Sequence, residues 1–140
     1  MGYMDQYGVA EARKERRIRA AVLSLLAVLA AAGSLYLFFK NYPQEQRVKQ
    51  FLAAVQMGDY PAAYTFWGCT VESPCKNYDY RSFLEDWGPS SRIGPLKSHR
   101  LGVSRARGSG VEIPVALNGR PPFNLWVERK DNVLGFAPLF

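Results

Sequence analysis

Few residues in this chain have types and spacings suited to chemistry. Cys69 and Cys75 are its only cysteines and His99 its only histidine. Two cysteines six positions apart suit one disulfide in an oxidising compartment. Closing that loop would stabilise the fold by about 2–2.5 kcal/mol in loop-entropy terms. A structural zinc needs four ligands, and two cysteines with one distant histidine do not supply them. His99 lies between Ser98 and Arg100 on an expected strand. No nucleophile elbow, P-loop or metal motif surrounds it, so it reads as a surface strand position rather than a catalytic base. Asp59 and Asp79 are expected as helix caps, and Glu85 and Asp86 as the solvated side of a short helix. These residues point to no enzyme, no metal, no cofactor and no small-molecule substrate.

The cations are more distinctive. Arg92, Lys97, Arg100, Arg105 and Arg107 fall between Asp86 and Glu112 with no acid among them. On a strand and its turn they form a basic edge. One reading has that edge facing lipid phosphates or an acidic subunit. The other has solvated charges that keep an edge strand from pairing. Trp126 is expected to point away from the core beside Asn124 and Glu128, where it needs either cover or a partner. With Arg100, Arg105, Arg107 and the C-terminal Phe140, it makes the expected contact surface.

The element that positions all of this is the uncharged run Ala20 to Phe39, twenty residues long. As a helix it spans about 30 Å, the hydrocarbon thickness of a bilayer. Its ten Val, Leu and Phe residues favour insertion by about 3–6 kcal/mol. A small protein could not bury a helix apolar on every face. Arg13, Lys14, Arg16, Arg17 and Arg19 precede the run, against Lys40, Arg47 and Lys49 after it. The denser cluster should stay in the cytoplasm, which places residues after 40 outside. Arg13, Arg16, Arg17 and Arg19 are then candidates for anionic headgroups or a cytoplasmic partner. The apolar run exceeds a usual signal-peptide core, so an uncut anchor is expected. Within it, Ala20, Ser24, Ala27, Ala31 and Ser34 recur at spacings of 4, 3, 4 and 3. Small residues on one face let another helix approach closely; the alternative is that Ala and Ser are common fillers of such spans.

The expected organisation is a basic tail over residues 1–19, a transmembrane helix over 20–40 and an extracytoplasmic domain over 41–140. From Lys40 onward, thirteen Lys/Arg against nine Asp/Glu leave a net charge of +4. That suits an anionic surface or an acidic partner; nucleic acid is not expected outside the cytoplasm.

In the outer domain, Val48, Phe51, Leu52 and Val55 mark an amphipathic helix starting near Pro43. Asp59 caps a second helix carrying Ala63, Tyr64 and Trp67 inward, and Asp79 a third that buries Phe83, Leu84 and Trp87. After Pro95 the period becomes two. Residues 96–104 make a weak strand with Leu101 and Val103 on one face, followed by a turn from Arg105 to Gly110. Val111, Ile113, Val115 and Leu117 alternate, as do Phe123, Leu125 and Val127. A three-residue turn Leu117-Asn118-Gly119 pairs Ile113 with Phe123 and Val111 with Leu125, which keeps both apolar sets on one face. A tight turn at Asp131-Asn132 pairs Val127 with Phe136. Pro114 and Pro121-Pro122 belong at edges or bulges.

The run Phe51-Leu52-Ala53-Ala54-Val55, with Gly58-Asp59-Tyr60 and Ala62-Ala63-Tyr64, resembles the opening of small NTF2-like, cystatin-like α+β domains. Tyr80 to Trp87, leading through Gly94-Pro95-Leu96, resembles their middle. The resemblance covers residues 44–140. It implies an α+β class: a single transmembrane helix, then three helices packed on a curved antiparallel sheet of three or four strands. It also implies a cone-shaped cavity, which in such domains serves catalysis, ligand binding or assembly. The layout is similar to the one-span scaffolds of type IV secretion as well. The leading expectation is a non-catalytic accessory subunit of a larger bacterial inner-membrane complex, respiratory or photosynthetic in type, with lipids and other integral membrane subunits as partners. The alternatives are a module binding a lipid or small apolar molecule, with Phe51, Trp67, Phe83 and Leu125 lining its pocket, and a secretion-channel scaffold.

Overall fold

The computed structural model describes the backbone of residues 3–138 and the side chains of residues 8–138. Phe140 lies outside the described residues. The chain divides into two compact units, Met1–Lys40 and Asn41–Phe140.

The first unit is one helix, α1 (Tyr3–Phe39), 37 residues long. It takes in the described part of the basic tail and runs unbroken through the apolar stretch. Every described side chain on it is exposed. Glu15 and Arg19 form an i,i+4 pair at 3.8 Å. The Ser34 hydroxyl donates to the Ala30 carbonyl at 2.8 Å, so it needs no polar partner outside its own helix.

The second unit is α+β. Its helices are α2 (Tyr42–Gln56), α3 (Tyr60–Thr65) and α4 (Tyr80–Trp87); its strands are β1 (His99–Leu101), β2 (Arg105–Arg107), β3 (Gly110–Leu117), β4 (Phe123–Glu128) and β5 (Leu134–Phe136). Pro43 sits in the first turn of α2, where its missing N–H is not needed. The helix ends in a Schellman motif: Gly58 takes φ +77°, with Gly58 N–H donating to Val55 O and Asp59 N–H to Ala54 O, both at 3.0 Å. Asp59 then caps α3 through Ala62 N–H, and Asp79 caps α4 through Ser82 N–H at 2.8 Å.

The core lies between these helices and one sheet face. Val48, Phe51, Leu52 and Val55 are buried, as are Tyr64, Phe83, Val111, Ile113, Val115, Leu125 and Val127. The space expected to be a cone-shaped pocket holds rings in contact. The Phe51 ring centroid lies 4.8 Å from that of Trp87, 6.0 Å from Trp67 and 6.2 Å from Phe83.

The sheet has five strands in antiparallel order β1-β3-β4-β5, with β2 also paired to β3. Three details correct the expected layout. The segment Arg105–Arg107, expected as turn, is strand; the turn is Gly108-Ser109, with Gly108 at φ +53°. Leu101 pairs with Val115 and Arg105 with Glu112, so three residues on the edge oppose two on β3, a one-residue bulge. Gly102 belongs in that bulge because a Cβ there would press within 3.0 Å of Pro114. Val103 therefore does not share Leu101's face and stands 81% exposed.

The second correction is to the β3–β4 register. Ile113 pairs with Leu125 and Val111 with Val127. Asn118 and Gly119 take φ +50° and +71°, and Arg120 N–H donates to Leu117 O at 2.9 Å. That is a two-residue turn with both central residues left-handed, as Asn-Gly favours. One extra residue at Pro121-Pro122, where missing donors make a bulge inexpensive, restores the shared face. Third, β5 pairs Leu134 with Val127 and Phe136 with Leu125. The connection is a four-residue loop: Glu128 N–H meets Val133 O, Asn132 N–H meets Glu128 O, and Asn132 sits at φ +55°.

Candidate functional site

The cysteine loop joins α3 to α4. Cys69 and Cys75 are disulfide-bonded with Cα atoms 5.3 Å apart, which suits an oxidising compartment. The buried Tyr64 holds the loop: its hydroxyl donates to Tyr78 O at 2.6 Å and accepts from Cys75 N–H at 3.0 Å. The Tyr78 hydroxyl donates to Asp86 at 2.7 Å, and burial, with this carboxylate beside it, pushes the Tyr78 pKa up.

Along α1, the seam residues Ala20, Ser24, Ala27, Ala31 and Ser34 are all exposed, as are Arg13, Arg16, Arg17 and Arg19. Leu23, Leu37 and Phe38 are 67%, 71% and 77% exposed. The helix is long and apolar enough to cross a membrane, and nothing in its apolar window is buried.

The helices α2–α4 cover one sheet face; the other carries Arg100, Arg105, Arg107 and Trp126 of the predicted contact residues. Arg105 pairs with Glu112, which pairs with Trp126, so these three stand in one cross-strand row. Arg107 Nε donates to Glu112 Oε2 at 3.0 Å, and Asn124 Nδ2 to Glu112 Oε1 at 2.7 Å. Trp126 is half-buried with its indole against Gly110, where a Cβ would collide with it. Its Nε1–H donates to Glu128 at 3.3 Å. The expected outward direction is therefore found, with the ring partly covered by its own sheet.

Two hollows mark this face. One, about 330 Å³, is lined by Val103, Arg105, Arg107, Glu112, Pro114 and Asn124. The other, about 480 Å³, has Arg100 and Arg120 over Gly102, Pro114, Ala116 and Pro122. Arg120 was not singled out by the sequence; its isolation from the 92–107 cluster hid it, and only the hairpin brings it opposite Arg100. Asn118, a turn residue by sequence, has a second role. Its side chain accepts from Lys97 and Ser98 N–H and donates to Ile93 and Pro95 carbonyls, which fixes the segment leading into β1.

His99, expected at a surface position, is half-buried; its Nδ1 is buried with no hydrogen-bond partner among the described residues, so no carboxylate holds that nitrogen. No three His, Cys, Asp or Glu side chains converge as a metal site among the described residues. Comparison with known protein families, curated proteins and solved structures finds no match to this chain.

Proposed function

We propose that this protein is a non-catalytic, single-span accessory subunit of a larger bacterial inner-membrane complex, of the respiratory or photosynthetic kind. One observation carries the proposal: α1 leaves its entire apolar surface uncovered, so its stability in place depends on lipid and neighbouring helices. The seam Ala20, Ser24, Ala27, Ala31 and Ser34 is where a neighbouring span would approach. The basic tail stays in the cytoplasm, and the disulfide-bearing unit from Asn41 onward lies outside as a clamp. Its small NTF2-like character, helices on one face of a sheet, serves assembly rather than catalysis. The aromatic packing around Phe51 favours this over the ligand-binding alternative, because rings in contact occupy the space a ligand would need. The secretion-scaffold alternative would require self-association through the outer unit.

Mild solubilisation followed by size separation tests the proposal. Co-migration with other integral membrane proteins is expected. A lone monomer, under conditions that keep known complexes intact, overturns it; a pure homo-oligomer favours the scaffold.

A further inference from the structure

The open sheet face carries a track whose charge and shape define its occupant. The two hollows meet at Pro114, and together they run along β3 from Glu112 to Ala116, about 14 Å at strand spacing. In the larger hollow, Gly102, Pro114, Ala116 and Pro122 make a small, apolar lining. Such a floor admits a backbone closely without offering it a deep side-chain pocket. At the distal end, Arg100 and Arg120 flank the track and no acid lines it. An adjoining hollow of about 400 Å³ adds Lys97, again without an acid. Among the described residues, Lys97, Arg100 and Arg120 have no ion-pair partner. At the other end, Glu112 binds Arg107 and Asn124. The track is thus uncompensated at the distal end; at the other end Glu112 offsets Arg107, and Arg105 leaves one net positive charge.

We infer that this track receives an extended, acidic segment of a neighbouring protein subunit, with its carboxylates on Arg100 and Arg120 and its backbone over Pro114 and Ala116. Bidentate guanidinium–carboxylate pairing gives direction to the docking, and an apolar floor shields those pairs from water. A segment of about five residues spans the track. This rests on the accessory-subunit reading and names the chemistry of its partner. It also resolves the two readings of the basic edge: the cations at the distal end recognise a partner as well as keeping the edge from self-pairing.

The test uses the full chain in zwitterionic nanodiscs. A fluorescein-labelled decapeptide of alternating Glu and Ala is titrated and followed by anisotropy, with a Gln-Ala decapeptide as the neutral control. The acidic peptide is expected to bind and the neutral one not. Arg100→Glu with Arg120→Glu should weaken acidic-peptide binding tenfold or more. Arg81→Glu with Lys130→Glu, equal in charge change but off the track, should leave it within about twofold. Equal losses from both pairs would mean that only net charge is sensed and would overturn the inference. So would absence of binding, or tighter, Arg100- and Arg120-dependent capture by phosphatidylglycerol vesicles than by peptide. Co-migration with a complex alongside failed peptide binding sinks this inference alone; a lone monomer sinks the subunit reading.

Discussion

Arg129 donates a 2.8 Å hydrogen bond to the Asn41 side-chain carbonyl across eighty-eight positions of sequence. The same side chain donates through Nδ2 to Ser104 at 3.1 Å, and Ser104 donates to Glu45. Asn41 is buried, and it ties the start of α2 to the β4–β5 loop and to the bulge between β1 and β2. Removing it takes an acceptor from the Arg129 guanidinium and a donor from the Ser104 hydroxyl, which keeps its own bond to Glu45. Asn41→Ala should destabilise the outer unit by about 1.5–3 kcal/mol, the range for hydrogen bonds to charged groups. Urea denaturation followed by tryptophan emission measures this. Combining it with Arg129→Met should cost less than the two single changes added, because the pair shares one bond.

Gly110 and Trp126 are matched in the same way. The indole occupies the space a Cβ would take. Gly110→Ala should lift the ring off the sheet, redden its emission and cost about 1–3 kcal/mol, the usual range for overpacking. An unchanged spectrum would mean that the ring does not rest on the backbone.

These couplings show what alternation along a strand does and does not specify. Val111, Ile113 and Val115 on β3, with Leu125 and Val127 on β4, share a face as their period-two pattern demanded. Both expected registers nevertheless slipped by two residues: Ile113 meets Leu125 rather than Phe123, and Val127 meets Leu134 rather than Phe136. A two-residue slip leaves every side chain on its proper face, so hydrophobic pattern alone is blind to it. Turn chemistry decides, and at Asn118-Gly119 the local preference for a two-residue turn prevailed because Pro121-Pro122 could absorb the extra residue. The caps at Asp59 and Asp79, the stripe on α2 and the apolar α1 were legible because each depends on neighbours within one or two turns. The Arg100–Arg120 track was not, since it exists only once β3 folds back on both neighbours.

The disulfide offers a redox test. Reduction, or Cys69→Ser with Cys75→Ser, should lower stability by about 2–2.5 kcal/mol if the loop-entropy account holds. For a domain of this size each kcal/mol shifts Tm by about 4–8 °C. Tyr64→Phe should weaken the loop further, since the buried hydroxyl serves both Tyr78 O and Cys75 N–H. A melting curve unaffected by reductant would show that the cross-link constrains nothing the hydrogen bonds do not already hold.

Asp79 predicts a pH dependence. Hydrogen bonding from the Ser82 backbone, then the Ser82 side chain, with the nearby Arg81 charge, holds its carboxyl below the ordinary value. Its stabilising contribution is therefore complete above the unfolded carboxylate pKa, about 3.9. It disappears as pH falls through the lower folded value. Asp79→Asn still caps α4 but no longer titrates, so it should flatten stability against pH in that acid window. Tyr78 has the opposite sign: its pKa is raised, so its contribution is complete below about pH 10 and declines at higher pH. Tyr78→Phe should remove that alkaline limb.

The seam on α1 gives the sharpest functional contrast. Ala27→Leu and Ala31→Leu place branched side chains where a neighbouring helix would need to come closest, while adding apolar surface that favours membrane insertion. Insertion should therefore persist and association should fall. Ala21→Leu with Ala32→Leu makes the same double change off the seam and serves as the matched control. Size separation after mild solubilisation should show the seam double variant released from its complex and the control retained, with equal membrane content for both. Release of both variants would assign association to total helix bulk. Retention of both would place the subunit's hold entirely in the outer unit, and the arginine-lined track would then be the first surface to disable.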